Sequence, residues 1–368
     1  MHVAILIGHF PPGSFGGAEI QAEGWAKRLS DRHRVTVITR RDPADQPERE
    51  ERDGFTVVRL PVSRVPLWRT FADVAAIEAA VRALRPKPDV LLCFQTFVSG
   101  LAGVRAGRAL GIPAMVWIRG EAEYRLGDSR VHGFVSPRVW SGASAVLVQS
   151  EQNRVDLLHE LERHAPGRLA ALREKLGVIG NGLDLPEGPL GAGTRVTSVG
   201  RLIADKGMDV VIDAARVAGL PLTIAGDGPE RAALEARAAG HDVRFAGFVS
   251  RAALDGLMRD TSVAVLAARR GEGLPNVLLE AMAYGRPVVA TPCAGTRDLL
   301  VDGVNGLVIA PDDRVALAAA LKRLAADPAL AARLGAQARR TAERFAWDAV
   351  RPALEAALEK AAGRGSAR

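Results

Sequence analysis

Two doubly wound α/β domains in tandem are the architecture this sequence predicts. Three observations carry the prediction. Apolar, β-branched runs alternate with helical patterns along the chain, the mark of strands buried on both faces and joined by helices, hence of parallel sheets. The series begins again past residue 194. Between the two series lies NGLDLPEGPLGAGT (181–194), rich in Gly and Pro and without periodicity, which reads as an interdomain linker. The length of 368 residues also exceeds what one ordinary core serves and suits two.

Taken in order, the first series holds the strand candidates HVAILIG (2–8), RVTVITR (34–40), FTVVRLP (55–61), DVLLCF (89–94), PAMVWIRG (113–120), AVLVQS (145–150) and LGVIGN (176–181). Helical patterns lie between many of them, at 18–29, 71–84 and 151–162. The second series runs TRVTSVG (194–200), LTIAGDG (222–228), VRFAGFV (243–249), VAVLAA (263–268) and PVVAT (287–291), with helices near 207–218, 229–239, 251–258 and 275–284. Ala-rich helices fill 313–344, and WDAVRPALEAALEK (347–360) makes a last one.

Composition narrows the function. The hydrophobic share of 48% and the charged share of 25% are those of a globular protein that builds its cores without metal or disulfides. The net charge of +7 favours an anionic substrate or an anionic membrane surface. No Lys/Arg run with interleaved aromatics appears, which argues against a nucleic-acid partner. Cys93 and Cys293 sit in or beside apolar runs outside any CxxC and read as small buried hydrophobes. The opening MHVAILIGHFPPG is short, lacks a basic flank and reads as a first strand and its turn. No apolar run reaches the length of a membrane span, so a cytoplasmic location is expected. The segment SRVPLWRTFADVAA (63–76) is basic and carries Leu67, Trp68 and Phe71, a pattern that suits peripheral contact with anionic lipid or packing on the first domain.

In doubly wound sheets ligands bind beyond the carboxyl ends of the strands, so each candidate motif should follow a strand. The segment GEGLPNVLLEAMAYGRPVVAT (271–291) does. Pro275 suits a first helical position, and Gly285 suits the C′ position past the helix end. Glu272 then falls in the loop and Glu280 in the second turn, flanking one pocket at the helix mouth. Gly273 and Leu274 offer no capping oxygen, which leaves N–H groups at the positive end of the helix dipole for a ligand oxygen. The two carboxylates beside them would accept hydrogen bonds from hydroxyls. Hydroxyls plus an anion describe a sugar phosphate or a nucleotide sugar. In SVGRLIADKGMDVVIDA (198–214), Arg201 and Lys206 occupy a loop at a strand's carboxyl end and can both reach one diphosphate. In FPPGSFGGAEI (10–20), Gly16 and Gly17 let backbone approach a ligand closely before a helix begins. The Gly turn AGDGPE (225–230) is expected to be structural.

The whole chain resembles the retaining glycosyltransferases of family 4. The matching residues are GGAE (16–19), NGLD (181–184), VGRLIADKG (199–207), AGDGPE (225–230), FAGFVS (245–250), EGLPNVLLEAMAYGRPVVAT (272–291) and DGVNGLVI (302–309). The spacing of Glu272 and Glu280 is its most specific mark. The resemblance implies the GT-B fold, two Rossmann-like domains facing an interdomain cleft. It implies an N-terminal acceptor-side domain at 1–183, a donor domain at 193–345, and a last helix at 346–363 packing back on the first. It implies that Arg201 and Lys206 neutralise the departing nucleoside diphosphate. Glu272, with the backbone of Gly273, Leu274, Pro275 and Asn276, would meet donor-sugar hydroxyls and phosphate. Glu280 would hold the ribose, Phe248 and Val249 the base, and Gly16 and Gly17 the diphosphate.

Two departures stand out. Arg119, followed by Gly120 and Glu121, takes a place where the family often has His, which makes Arg119 and Glu121 acceptor-side candidates and suits an anionic acceptor. Asp298 stands for a Glu in AGTRD (294–298). No Asp-x-Asp motif appears in the expected setting, in keeping with the family's metal-independent chemistry, and PDD (311–313) reads as a helix N-cap. His159 and His164 would point about 140° apart on a helix and make a poor ligand pair. No cofactor is expected beyond the nucleotide-sugar donor, whether UDP-, GDP- or ADP-linked. The activity implied is hexosyl transfer to a glycan, lipid-linked or small-molecule acceptor in cell-envelope or polysaccharide synthesis. A nucleotide-sugar epimerase or another enzyme on this fold, and a non-catalytic nucleotide-binding module, are the alternatives.

Overall fold

The computed structural model describes residues 1–14, 16–61, 69–188, 190–270 and 273–363. The chain divides into two compact units. Met1–Gly182 and the chain from Val350 on form the first, and Leu183–Ala349 form the second.

The first unit is built on β1 (His2–Leu6), β2 (Arg34–Arg40), β3 (Arg49–Arg52), β4 (Phe55–Leu60), β5 (Val90–Phe94), β6 (Ala114–Trp117), β7 (Ala145–Val148) and β8 (Leu176–Val178). Its sheet runs β3-β4-β2-β1-β5-β6-β7-β8. All pairs are parallel except β3 with β4. β1 and β5 are buried along their whole length, which is why, after His2, their sequences are continuous apolar runs without alternation. Between them the direction of strand addition reverses, so their carboxyl ends flank a topological switch point. The helices are α1 (Gly17–Ser30), α2 (Arg69–Ala83), α3 (Leu101–Leu110), α4 (Arg130–Gly142), α5 (Glu151–His164) and the short α6 (Leu169–Arg173). Phe71 on α2 is 69% exposed, while Leu67 and Trp68 of the candidate lipid-facing segment lie outside the described residues.

β3 is a strand that apolar patterning passes over, because its sequence is Arg-Glu-Glu-Arg. It joins β4 through Asp53 (φ 46°) and Gly54 (φ 85°), the two-residue Asp-Gly hairpin signal. Its charges keep an edge strand from pairing further.

The second unit is built on β9 (Arg195–Val199), β10 (Leu222–Ala225), β11 (Val243–Gly247), β12 (Thr261–Leu266), β13 (Val288–Ala290) and β14 (Leu307–Val308), all parallel, in the order β11-β10-β9-β12-β13-β14. The switch point here lies between β9 and β12. Its helices are α7 (Met208–Ala218), α8 (Arg231–Ala238), α9 (Arg251–Asp260), α10 (Asn276–Ala283), α11 (Ala294–Leu299), α12 (Arg314–Ala326) and α13 (Pro328–Glu343). Asp313 caps α12, its Oδ1 accepting from the Ala316 N–H at 2.8 Å. Val196, Ile224, Val265 and Val289 meet Val211, Ile212, Leu317 and Leu321 in one core.

α14 (Trp347–Ala361) closes the chain. From Val350 on it belongs to the first unit, with Leu354 and Leu358 fully buried and Arg351 donating to Asp31 at 2.9 Å. Residues 183–194, which composition marks as a linker, group with the second unit. Arg286 is the reason. Its buried guanidinium donates to the carbonyls of Met258 (2.9 Å), Arg259 (2.9 Å) and Gly191 (2.6 Å) and so ties this aperiodic stretch to α9. Arg286→Met should leave those carbonyls without donors and destabilise the chain by on the order of 1–3 kcal/mol, read as a lower denaturation midpoint; an unchanged midpoint refutes the anchoring role.

Candidate active site

The loops after β9 and β12 converge at the switch point of the second sheet. The first begins at Gly200 and carries Arg201, then a 3-10 turn at Ala204–Lys206. The stem of Lys206 lies against Gly200, where an added Cβ would stand 3.8 Å from Lys206 Cδ. Gly207 follows with φ 63°, and a Cβ there would sit 2.1 Å from the Ala267 carbonyl oxygen. Only glycine lets this loop rest on the end of β12.

Arg269 fastens the contact. Its N–H donates to the Asp205 carbonyl at 2.8 Å. Its guanidinium donates to the Ala204 carbonyl, to Asp209 (2.8 Å) and to Asp312 (2.6 Å). The hydrogen bond it donates to Asp209 leads the causes that hold this guanidinium above its ordinary pKa. Thr291 adds a second tie, its hydroxyl donating to the Ala268 carbonyl at 2.6 Å. A Cβ on Gly295 would meet the Gly273 carbonyl oxygen at 1.7 Å, so the start of α11 rests directly on the Gly273–Leu274 backbone. Glu272 itself lies outside the described residues.

The start of α10 carries no side-chain cap. Pro275 is its N-cap, with φ −73° and ψ 109°, and not the first helical residue that its ring suggests. Proline fixes φ alone; here ψ stays extended and the helix begins at Asn276. The Pro275 carbonyl accepts from Leu278 and Leu279, both at 3.2 Å, and Leu274 is buried beneath.

Glu280 sits in the second turn of α10 with its side chain 15% exposed. Arg251 reaches it at 3.1 Å and bridges to Asp184 at 2.9 Å. Burial pushes the Glu280 carboxyl up to about 7; Arg251 opposes that shift and Asp184 adds to it. Phe248, which is 56% exposed, and Val249 occupy the turn between β11 and α9, where Ser250 caps α9 by accepting from Ala253 at 3.3 Å. Gly226 of AGDGPE has φ 137° and its Cβ would strike the Gly200 carbonyl oxygen at 1.9 Å, so this turn packs the β10 loop under the β9 loop.

In the first unit Gly16 is the N-cap of α1, without a side-chain cap, and Gly17 is the first helical residue. A Cβ on Gly16 would lie 2.3 Å from Glu19 Oε2. Arg119 follows β6 and is buried, donating to Asn181 Oδ1 at 2.7 Å. Glu121 accepts from Arg125 Nε at 2.7 Å. Asp298 is exposed on α11. His164 faces Glu160 at 3.8 Å, and no metal-binding cluster of His, Cys, Asp or Glu exists among the described residues. No described helix is long and apolar enough to cross a membrane.

Sequence reasoning missed Arg269, Arg251 and Asp184. Asp184 stands in the quoted NGLD and Arg251 directly follows FAGFVS, so the segments were marked without these side chains. Arg269 carries no local signal, since its partners are 43 to 65 residues away.

Two α/β units with parallel sheets, the second with a cation-bearing loop at its switch point, fit the GT-B class. The solved structures agree on the fold. Sucrose-phosphate synthase from Thermosynechococcus elongatus matches with a TM-score of 0.81 at 20% identity, over 98% of both chains. Anabaena HepE in complex with UDP-glucose matches at 0.78 and 21%, over 98% of this chain and all of that one. Residues 193–327 match the family model for glycosyl transferases group 1, and residues 16–164 match that for the glycosyl transferase 4-like domain. The chain belongs to the group 1 glycosyltransferase family. Among curated relatives, it is 35% identical over 180 residues to the alpha-D-kanosaminyltransferase of Streptomyces kanamyceticus, 46% of this chain and 43% of that protein. It is 30% identical over 348 residues to an exopolysaccharide phosphotransferase of Streptomyces coelicolor, 88% of this chain but 34% of that one. It is 32% identical over 284 residues to the glycogen synthase of Mycobacterium tuberculosis, 73% of this chain and 64% of that one. The match thus spans less than two thirds of each of these relatives.

Two outcomes follow from this geometry. Gly207→Ala forces a side chain into a left-handed conformation against the Ala267 carbonyl and should cost at least on the order of 1–3 kcal/mol, measured by chemical denaturation. The buried Glu280 carboxyl has a folded pKa raised from 4.5 to about 7, so its ionisation opposes folding as pH rises through that window. Wild type should therefore lose stability relative to Glu280→Gln between pH 5 and pH 8; parallel stability profiles would contradict the shift.

Proposed function

We propose that the chain is a retaining glycosyltransferase that moves a hexose from a nucleotide-sugar donor to a glycan, lipid-linked or small-molecule acceptor without a divalent cation. The observation that carries this is the contact between the Arg201–Lys206 loop and the loop that leads from β12 toward the uncapped start of α10, at the switch point of the second sheet. Cations and a helix N-terminus suit a diphosphate. A carboxylate beside them suits a ribose diol. The family supports the same use.

Negative charge grows on the diphosphate as the glycosidic bond breaks. Lys206, Arg201 and the α10 backbone would stabilise it more in the transition state than in the ground state, which accelerates the chemical step. Gly207 and Arg269 hold Lys206 where that charge appears, so little reorganisation is needed at the moment of reaction. The acceptor hydroxyl attacks from the face that the diphosphate leaves, and the departing phosphate takes its proton. The new bond keeps the anomeric configuration of the donor. Gly16 and Gly17 of the first unit are proposed donor contacts, and Arg119 an acceptor-side one.

A panel of UDP-, GDP- and ADP-sugars should show binding of one class. On that donor, Lys206→Ala should lower kcat by on the order of 100-fold, and EDTA should leave turnover unchanged. A variant that turns over normally, or an inverted anomer in the product by NMR, overturns the proposal.

A further inference from the structure

We propose that Arg119 binds the carboxylate of an acidic sugar carried by one of the two substrates. This deepens the sugar-transfer reading above and rests on it for the identity of the ligand as a sugar.

The residue stands at the carboxyl edge of the first sheet, two positions past β6, and is only 9% exposed. Its guanidinium lies over the rings of Trp117 (4.8 Å) and Phe94 (5.3 Å). Nη2 donates to Asn181 Oδ1, and that same oxygen also accepts from Gln149 Nε2 at 2.9 Å. Nε and Nη1 are buried and have no acceptor among the described residues. A buried guanidinium whose single direct hydrogen-bond partner among the described residues is a shared, neutral amide oxygen is costly, and pairing with an anion is what offsets that cost. Burial lowers the guanidinium pKa to about 9, with Glu123 and Glu19 opposing the shift from a distance.

Neither carboxylate satisfies the two donors. Glu123 spends its oxygens on the N–H groups of Thr96 (2.6 Å) and Arg119 (2.7 Å). Glu19 lies in the first turn of α1, beside Gly16. Two acids in electrostatic reach would repel a free polyanion, yet Glu19 can accept from hydroxyls. A ring bearing hydroxyls and one carboxylate satisfies the acids and the guanidinium together. An ordinary core position here would be apolar, as Trp117 and Ile118 before it are.

The test is calorimetric and uses the full chain in two arms. One compares glucuronate with glucose in the presence of the nucleoside diphosphate that the donor panel selects. The other compares that nucleotide's glucuronate and glucose conjugates. We expect at least a tenfold preference for the acid in one arm, abolished in Arg119→Gln and partly kept in Arg119→Lys. A preference in the first arm assigns the carboxylate to the acceptor, and one confined to the second assigns it to the donor. No preference in either arm, or one that survives Arg119→Gln, overturns the proposal. Should Arg119→Gln fail to fold, the wild-type comparison and Arg119→Lys decide. Nucleoside diphosphate binding alone, weakened by Lys206→Ala, separately tests the transfer reading; if it is absent, the first arm without nucleotide still judges Arg119.

Discussion

The closeness of two backbone loops in the second unit is the constraint on which the candidate site depends. Gly207 lies on the carbonyl of Ala267 with no room for a methyl group, and Arg269, in the loop after β12, donates to Ala204, Asp205 and Asp209 of the facing segment. Lys206 precedes that glycine and Arg201 opens the same loop, so their positions follow from a backbone contact. Gly226 repeats the device one strand over, beneath Gly200. Loops that carry charge usually move; these are held by contacts which only glycine permits and by a guanidinium that donates to a carbonyl and two carboxylates. The proposed electrostatic catalysis would draw on that preorganisation.

Buried charge is handled in two ways. In the second unit, Glu280, Arg251 and Asp184 form a chain of opposite charges, yet burial still raises the Glu280 carboxyl to about 7. In the first unit Arg119 is buried against aromatic rings with two nitrogens that no described residue serves. Arg286, equally buried, shows what a structural arginine looks like here: each of its three nitrogens donates to a carbonyl. The contrast between Arg286 and Arg119 is one of hydrogen-bond completeness, and it is the reason a ligand is proposed for Arg119 and not for Arg286.

Much of the architecture was legible in the sequence because parallel strands buried on both faces read as unbroken apolar runs, as the stretch from Val3 to Leu6 and Val90–Phe94 do. The glycine past α10 and the cap at Asp313 were legible because each answers a local backbone need. β3 escaped because an edge strand made of charges has no apolar pattern, and Pro275 was placed one position too far in because its ring says nothing about ψ.

The sequence by itself determined the two α/β series, the loop in which Arg201 and Lys206 fall, the helix that carries Glu280, and the family to which those segments point. Tertiary structure alone decided that Arg269 joins Ala204, Asp205, Asp209 and Asp312, that Arg251 links Glu280 to Asp184, and that Glu121 turns to Arg125 while Arg119 is buried. The reason is range. Periodicity, caps and turns are set within a few residues by backbone geometry, whereas the long-range partners of a charged side chain are set by which strand ends the sheet order brings side by side.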